Sequence, residues 1–272
     1  LIPMVMEAIA FILLGLIVGS FLNVVVLRHG ARALTGRSGC MACGRCLRWY
    51  DIIPVLSWIL LLGRCRSCRA WISIQYPLVE ILTAALFLLI GLAPIGLFVQ
   101  AMSLCAAAFL VIIAVYDLRH TIIPDEWAYS LAVIAFAIAL SGSMGARDVT
   151  DIALLLFAGP ITAFPLFALW AASRGMWMGL GDPKLALGIG WLLGVPAGLY
   201  AVFLAFVIGA LVSVVVLLPL EYVRHACGIT RLGAFRQSFT MRSEVPFGPF
   251  LIASCIVVWS AMLYGLPLPF FI

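Results

Sequence analysis

The sequence predicts an all-α polytopic membrane protein of about eight transmembrane helices, with a small stapled cytoplasmic insertion after the first. Three observations carry that prediction. The 272 residues are 65% hydrophobic and 10% charged, with a mean hydropathy of +1.23, too little polar surface to enclose so much apolar side chain in water. Apolar stretches recur near the length of a bilayer crossing, about 20 residues at roughly 1.5 Å each. The basic residues crowd into alternate loops.

The first apolar stretch is 4–27. It has no basic leader and no small-x-small cleavage site, so it is expected to be a retained span and not a signal peptide. The longest polar insertion, 28–73, follows it. Further candidate spans are 74–92, 96–116, 126–140, 152–172, 181–194, 197–220 and 247–270. The fourth and sixth spans are short. A short span is tolerated where it borders a polar cavity, because freed backbone groups then find protein or water.

Charge tests this topology, since Lys and Arg accumulate on the cytoplasmic side. With both termini outside, fifteen of the sixteen basic residues, from Arg28 to Arg242, fall in inner loops, and Arg147 alone falls outside. Dropping or adding one internal span would spoil that bias. The net charge of +5 is therefore assigned to loops facing an anionic leaflet, and no nucleic-acid partner is needed to explain it.

The insertion is too short and too poor in apolar residues to fold on a core of its own. It carries "CMACGRC" at 40–46 and "CRSC" at 65–68, two C-x-x-C knuckles separated by 21 residues. In a reducing cytosolic loop, the thiolates of Cys40, Cys43, Cys65 and Cys68 suit tetrahedral Zn²⁺ better than disulfides. Spacing alone leaves the first pair open, because Cys43 and Cys46 are also a C-x-x-C. Cys105 and Cys255 lie inside spans and read as small buried hydrophobes, and Cys227 as an isolated loop thiol.

Of the eleven acidic residues, most are explained as loop or span-end charges, Asp51, Glu221 and Glu244 sitting among inner arginines. Two stand apart. Asp117 lies in "YDLRHTIIPD" at 116–125, where the third span ends, and Asp182 in "GLGD" at 179–182, where the sixth begins. The topology puts both at one depth, on the cytoplasmic face. Either alone reads as an interfacial charge at a helix end. Brought together at low dielectric, two carboxylates hold one proton between them. The ionised member can then take a proton from a water attacking a peptide carbonyl, while the protonated member donates to the carbonyl oxygen and later to the leaving amine. Gly179 and Gly181 permit unusual φ and close approach of a substrate backbone. Pro124 and Pro183 are expected to break the helices beside each aspartate, freeing backbone groups to bind an unwound peptide. Lys184 either tunes Asp182 or meets lipid phosphates. No H-e-x-x-H motif is present, the three histidines His29, His120 and His225 lack ligand spacing, and Ser143 has no histidine on its face of the membrane.

These pieces, with "GSFLNVVVLR" at 19–28, "IPVLSW" at 53–58, "ISIQYPLVE" at 72–80 and "PFGPF" at 246–250, occur in the order of one family over nearly the whole chain. The chain resembles the bacterial type IV prepilin peptidases, bifunctional leader peptidases and N-methyltransferases of pilus and type II secretion systems. It departs from the pattern at Met41, where the family usually has Pro, and at Ile52, where it usually has Asn. The family alignment selects Cys40 and Cys43 and leaves Cys46 as an extra.

The resemblance implies that Asp117 and Asp182 are the catalytic aspartates of a GxGD-type intramembrane protease of the bacterial inner membrane. It further implies that prepilins or pseudopilins with a basic leader are cut on the cytoplasmic side, and that the new N-terminus is methylated from S-adenosylmethionine. The division is then a first helix at 1–27, a cysteine-rich zinc-binding loop at 28–73, associated with the methylating form, and a transmembrane catalytic bundle at 74–272. Asn23 and Glu80, buried polar groups flanking the loop, are candidates for the methyl-donor site; helix–helix hydrogen bonding is the competing reading. Two other functions stay open: a presenilin-like GxGD protease, against which the cysteine loop and "GSFLN" argue, and an ion-handling transporter or zinc scaffold without enzymatic activity.

Overall fold

The computed structural model of the chain describes residues 2–30, 36–142, 149–217 and 246–267. Arg32, Ser143, Arg147, Glu221, His225, Cys227, Arg242 and Glu244 lie outside the described residues. Among those described, the regular structure is helical: α1 Ile2–Arg28, the short α2 Leu56–Leu60, α3 Gln75–Gly91, α4 Leu97–His120, α5 Asp125–Gly142, α6 Val149–Ser173, α7 Gly181–Leu193, α8 Val195–Val212 and α9 Gly248–Leu263.

A helix thus forms over each of the eight apolar stretches, but they differ in character. Four are long and apolar enough to cross a membrane: Met4–Arg28, Leu97–His120, Thr150–Ser173 and Val195–Val215. Gln75–Gly91 and Gly248–Leu263 are shorter apolar helices. α5 opens on Asp125 and Glu126, and α7 puts Gly181, Asp182, Pro183 and Lys184 into its first turn, so both begin on polar groups that need protein or water beside them.

Contacts divide the chain into two compact units, Leu1–Tyr116 with Leu263–Leu266, and Asp117–Met262 with Pro267–Ile272. In the first, α1 packs along α3. Gly15 and Gly19, one turn apart, carry that contact: a Cβ on Gly15 would sit 2.5 Å from the Ala84 Cα, and one on Gly19 2.8 Å from the Glu80 Cα. Lipid gives no hydrophobic drive to helix pairing, so small residues that let backbones touch supply the association instead.

In the second unit α7 is the centre, packed on α5, α6 and α8. Leu185, Ala186 and Ile189 are fully buried, Gly188 abuts Ala132 of α5, and Gly190 abuts Ala158 and Thr162 of α6. Protein encloses this helix, which explains why 13 residues with polar first-turn groups suffice. Outward surfaces are apolar, with Leu13, Ile17 and Phe21 exposed on α1 and Phe157, Phe164 and Phe167 on α6, as a hydrocarbon solvent requires. One expectation needs correction here: Cys255 is buried, but Cys105 is exposed, because its position on α4 turns away from the packed side.

Candidate active site

Among the described residues three acids are buried: Glu80, Asp117 and Asp182. Burial of a carboxylate is unfavourable unless a partner or a task offsets it, so these are the positions to explain. Asp117 stands in the last turn of α4, 4% exposed, and Asp182 is the second residue of α7, 8% exposed. Both belong to the second unit.

Local backbone sets each in place. Thr121 takes the left-handed conformation at φ 53 and returns its N–H to the Asp117 carbonyl at 2.8 Å, which caps α4 one turn past the aspartate. Pro124 then precedes α5, its carbonyl accepting the Ala128 N–H at 3.1 Å. At Asp182 the outcome differs from the expectation of a broken helix. Pro183 lies within the first turn of α7, where backbone N–H groups have no intrahelical acceptor, so its missing N–H removes nothing.

Ile123 and Gly248 close the space around the pair. A Cβ on Gly181 would meet Ile123 Cβ at 2.9 Å; one on Gly248 would meet Ile123 Cδ1 at 3.3 Å and Asp117 Oδ2 at 2.5 Å. The starts of α7 and α9 therefore both rest on Ile123, and only glycine at 248 leaves room for the Asp117 carboxylate. The Gly248 backbone N–H acts on that carboxylate, yet Oδ2 itself is buried without a hydrogen-bond partner among the described residues. The Asp117 charge in turn acts on Asp182. Two enclosed carboxylates, one with a bare oxygen and the other within reach of its charge, are groups of the kind that relay protons to and from a polar group.

Gly248 was not a site residue in the sequence reading, although "PFGPF" signalled it: glycine between prolines at a helix start marks a close approach. Gly181 acts by the same steric means. Neither Gly179 nor Gly181 takes a positive φ, so unusual backbone conformation is not their role, and Gly179 is exposed, where a Cβ would meet only the Gly181 nitrogen, at 3.9 Å. Lys184 pairs with neither Asp182 nor solvent alone. Its Nζ donates to Asp125 Oδ1 at 2.6 Å and lies 5.7 Å from the Tyr129 ring centroid, tying α7 to the start of α5.

In the first unit, the ligand atoms of Cys40, Cys43, Cys65 and Cys68 all lie within 4.8 Å of one another, and Cys46 is not in the group. The knuckles are built alike. Cys40 and Cys65 receive a return N–H four residues on, from Gly44 at 2.8 Å and Arg69 at 2.9 Å, and both donors have positive φ. Isolated bridges Gly39 to Cys46 and Arg64 to Trp71 close the two hairpins. Arg45 donates to Ser67 Oγ at 2.8 Å and Arg66 to Asp51 at 2.9 Å, which ties the second knuckle to the segment carrying the first. A tetrahedral metal with sulfur ligands at about 2.3 Å sets sulfurs about 3.8 Å apart. Cys40 Sγ and Cys68 Sγ are 3.8 Å apart, so the set fits a metal ion. The N–H groups of Cys43 and Ala42 hold the Cys40 thiol down at about 6, towards the thiolate a metal needs. The Ala70 N–H pulls Cys68 the same way, but desolvation and its three thiol neighbours outweigh it and raise Cys68 to about 11.

Asn23 and Glu80 bond across segments distant in sequence. Asn23 Nδ2 donates to the Tyr76 carbonyl at 3.2 Å and to Gly19 at 3.3 Å, and Glu80 Oε2 accepts the Val55 N–H at 2.7 Å. These contacts join α1, the insertion and α3.

Two family models match the chain, the bacterial peptidase A24 N-terminal domain over residues 13–93 and the type IV leader peptidase family over 104–214. A "prepilin leader peptidase/N-methyltransferase" of Burkholderia pseudomallei (strain 1026b) is 32% identical over 281 residues, covering 92% of this chain and 84% of the relative. One of the same name from Myxococcus xanthus is 36% identical over 78% of this chain and 63% of its own. A "type 4 prepilin-like proteins leader peptide-processing enzyme" of Escherichia coli O78:H11 is 35% identical over 66% of this chain and 74% of its own. No solved structure matches the chain.

Proposed function

The chain belongs to the type IV leader peptidase family, and we propose that it cleaves the leader from prepilins or pseudopilins and methylates the new N-terminus. The observation that carries the peptidase reading is the enclosed pair Asp117 and Asp182 beside Gly248. One carboxylate takes a proton from water as the oxygen attacks the scissile carbonyl; the other donates its proton to the carbonyl oxygen. Collapse of the tetrahedral centre breaks the C–N bond and returns a proton to the leaving amine. Gly181 and Gly248 let the starts of α7 and α9 close on Ile123, which keeps the carboxylates enclosed and in place.

We assign Zn²⁺ to Cys40, Cys43, Cys65 and Cys68 as a structural ion, since a closed set of four thiolates leaves no open position for chemistry. The methyl donor is S-adenosylmethionine, in keeping with the relatives' names. The protein sits in the bacterial inner membrane as eight crossings with both termini outside, the four long helices and the charge bias supporting this. Asn23 and Glu80 read better as the frame of the methylating loop than as donor ligands, because their polar atoms are already engaged.

The deciding experiment is cleavage of a purified pilin precursor by wild type, Asp117→Asn and Asp182→Asn proteins in nanodiscs. Each substitution is expected to lower the rate by on the order of 10²–10⁴-fold, the share general acid–base groups supply. Cleavage at the wild-type rate by either variant would exclude the aspartate pair.

A further inference from the structure

The insertion exposes apolar side chains that its four cysteines do not use. Leu56, Ile59 and Leu60 recur at i, i+3 and i+4, one face of α2, and are 50%, 55% and 71% exposed. The opposite side is occupied: Trp58 donates its indole N–H to the Ile72 carbonyl at 3.2 Å and lies against Gly63. The stripe therefore points away from the insertion's own packing.

Its depth is set by Glu80. Val55, immediately before α2, donates its N–H to Glu80 Oε2 at 2.7 Å, and the Ser20 hydroxyl of α1 reaches the same carboxylate. Glu80 is the sixth residue of α3, which places it about 7–8 Å along the helix from Gln75 at a rise of about 1.5 Å per residue. Gly19 of α1, a helix apolar enough to cross a membrane, backs it. So the start of α2 is fixed beside α1 and α3, within two turns of the N-terminal end of α3, a placement that matches the 5–10 Å depth roughly typical of interfacial helices if that end lies at the membrane surface. Val55 adopts φ 60 and ψ −51, a conformation that a β-branched residue takes only when its surroundings impose it. The flanks suit the same place. Trp49 and Trp71 are exposed, Arg64 stacks over the Trp71 ring at 4.4 Å, and Arg48 and Arg69 add positive charge. Tryptophan and arginine at that level are complementary to anionic headgroups.

We infer that α2 is an interfacial anchor whose apolar stripe enters the headgroup–acyl boundary of the cytoplasmic leaflet and holds the cysteine knuckles against phospholipid.

The test uses the full chain in nanodiscs of phosphatidylcholine with and without phosphatidylglycerol. A diazirine amino acid replaces Leu60, or Ile59 as a second probe of the same face, or Ser67 in the second knuckle. After irradiation, mass spectrometry is expected to find lipid adducts at Leu60 and Ile59, more with phosphatidylglycerol, and none at Ser67. Glu80→Ala should lose the Leu60 adduct, whereas Glu80→Gln, whose amide oxygen still accepts the Val55 N–H, should keep it. Adducts at Leu60 and Ile59 formed only with water, or with a second copy of the chain, would overturn the inference.

Discussion

At Gly248 a single missing Cβ shapes the site. An alanine there would put carbon 2.5 Å from Asp117 Oδ2, nearer than any real contact, so the carboxylate or the start of α9 must move. Displacement of a reacting group by about 1 Å costs roughly a hundredfold in rate. Gly248→Ala is therefore expected to lower prepilin cleavage by about that factor while the protein still extracts and purifies as wild type. A normal rate would mean that the approach of residue 248 to Asp117 is not needed. Asp117 and Asp182 could be singled out in the sequence because acids are rare in so apolar a chain. Gly248 was marked only by its place between prolines, since the meaning of a glycine depends on what faces it.

The elements divide by what holds them. The knuckles are local structures, yet local spacing left the first pair open; the family resemblance chose Cys40 and Cys43, and the fold agrees, because Cys46 is not carried to the point where the four sulfurs converge. Elemental analysis of protein purified without chelator is expected to find about one zinc per chain, falling to near zero in Cys40→Ser/Cys65→Ser. Metal-free wild type would refute the assignment. The Lys184 to Asp125 pair ties α7 to α5, and here magnitude decides what to expect. Asp125 is 60% exposed, and exposed pairs contribute about 0–1 kcal/mol, so Lys184→Ala should cost no more than about fivefold in cleavage. The swapped pair Lys184→Asp/Asp125→Lys should recover part of that loss. A loss as large as that of the aspartate variants would instead place Lys184 in the chemistry.

For the whole molecule, the proposed eight crossings, with both termini outside, make a direct prediction. A reporter active only outside the cytoplasm should work when fused after Ile272 and fail when placed in the 28–73 insertion. Activity in both places or in neither would change the number of crossings, and activity with both signs reversed would invert the chain. Composition, charge bias and motif spacing are properties of the chain itself, so the membrane class, the positions of the eight long helices and the two unusual aspartates were legible without coordinates, and the family resemblance added the cysteine set. The tertiary structure decided what depends on contacts between distant segments. It wrapped α7 in α5, α6 and α8, turned Cys105 outward, gave Lys184 to Asp125, and brought Gly248 across more than a hundred residues of chain onto Asp117. Those outcomes follow from close packing, in which a side chain's role is set by the atoms it meets and not by its neighbours in sequence.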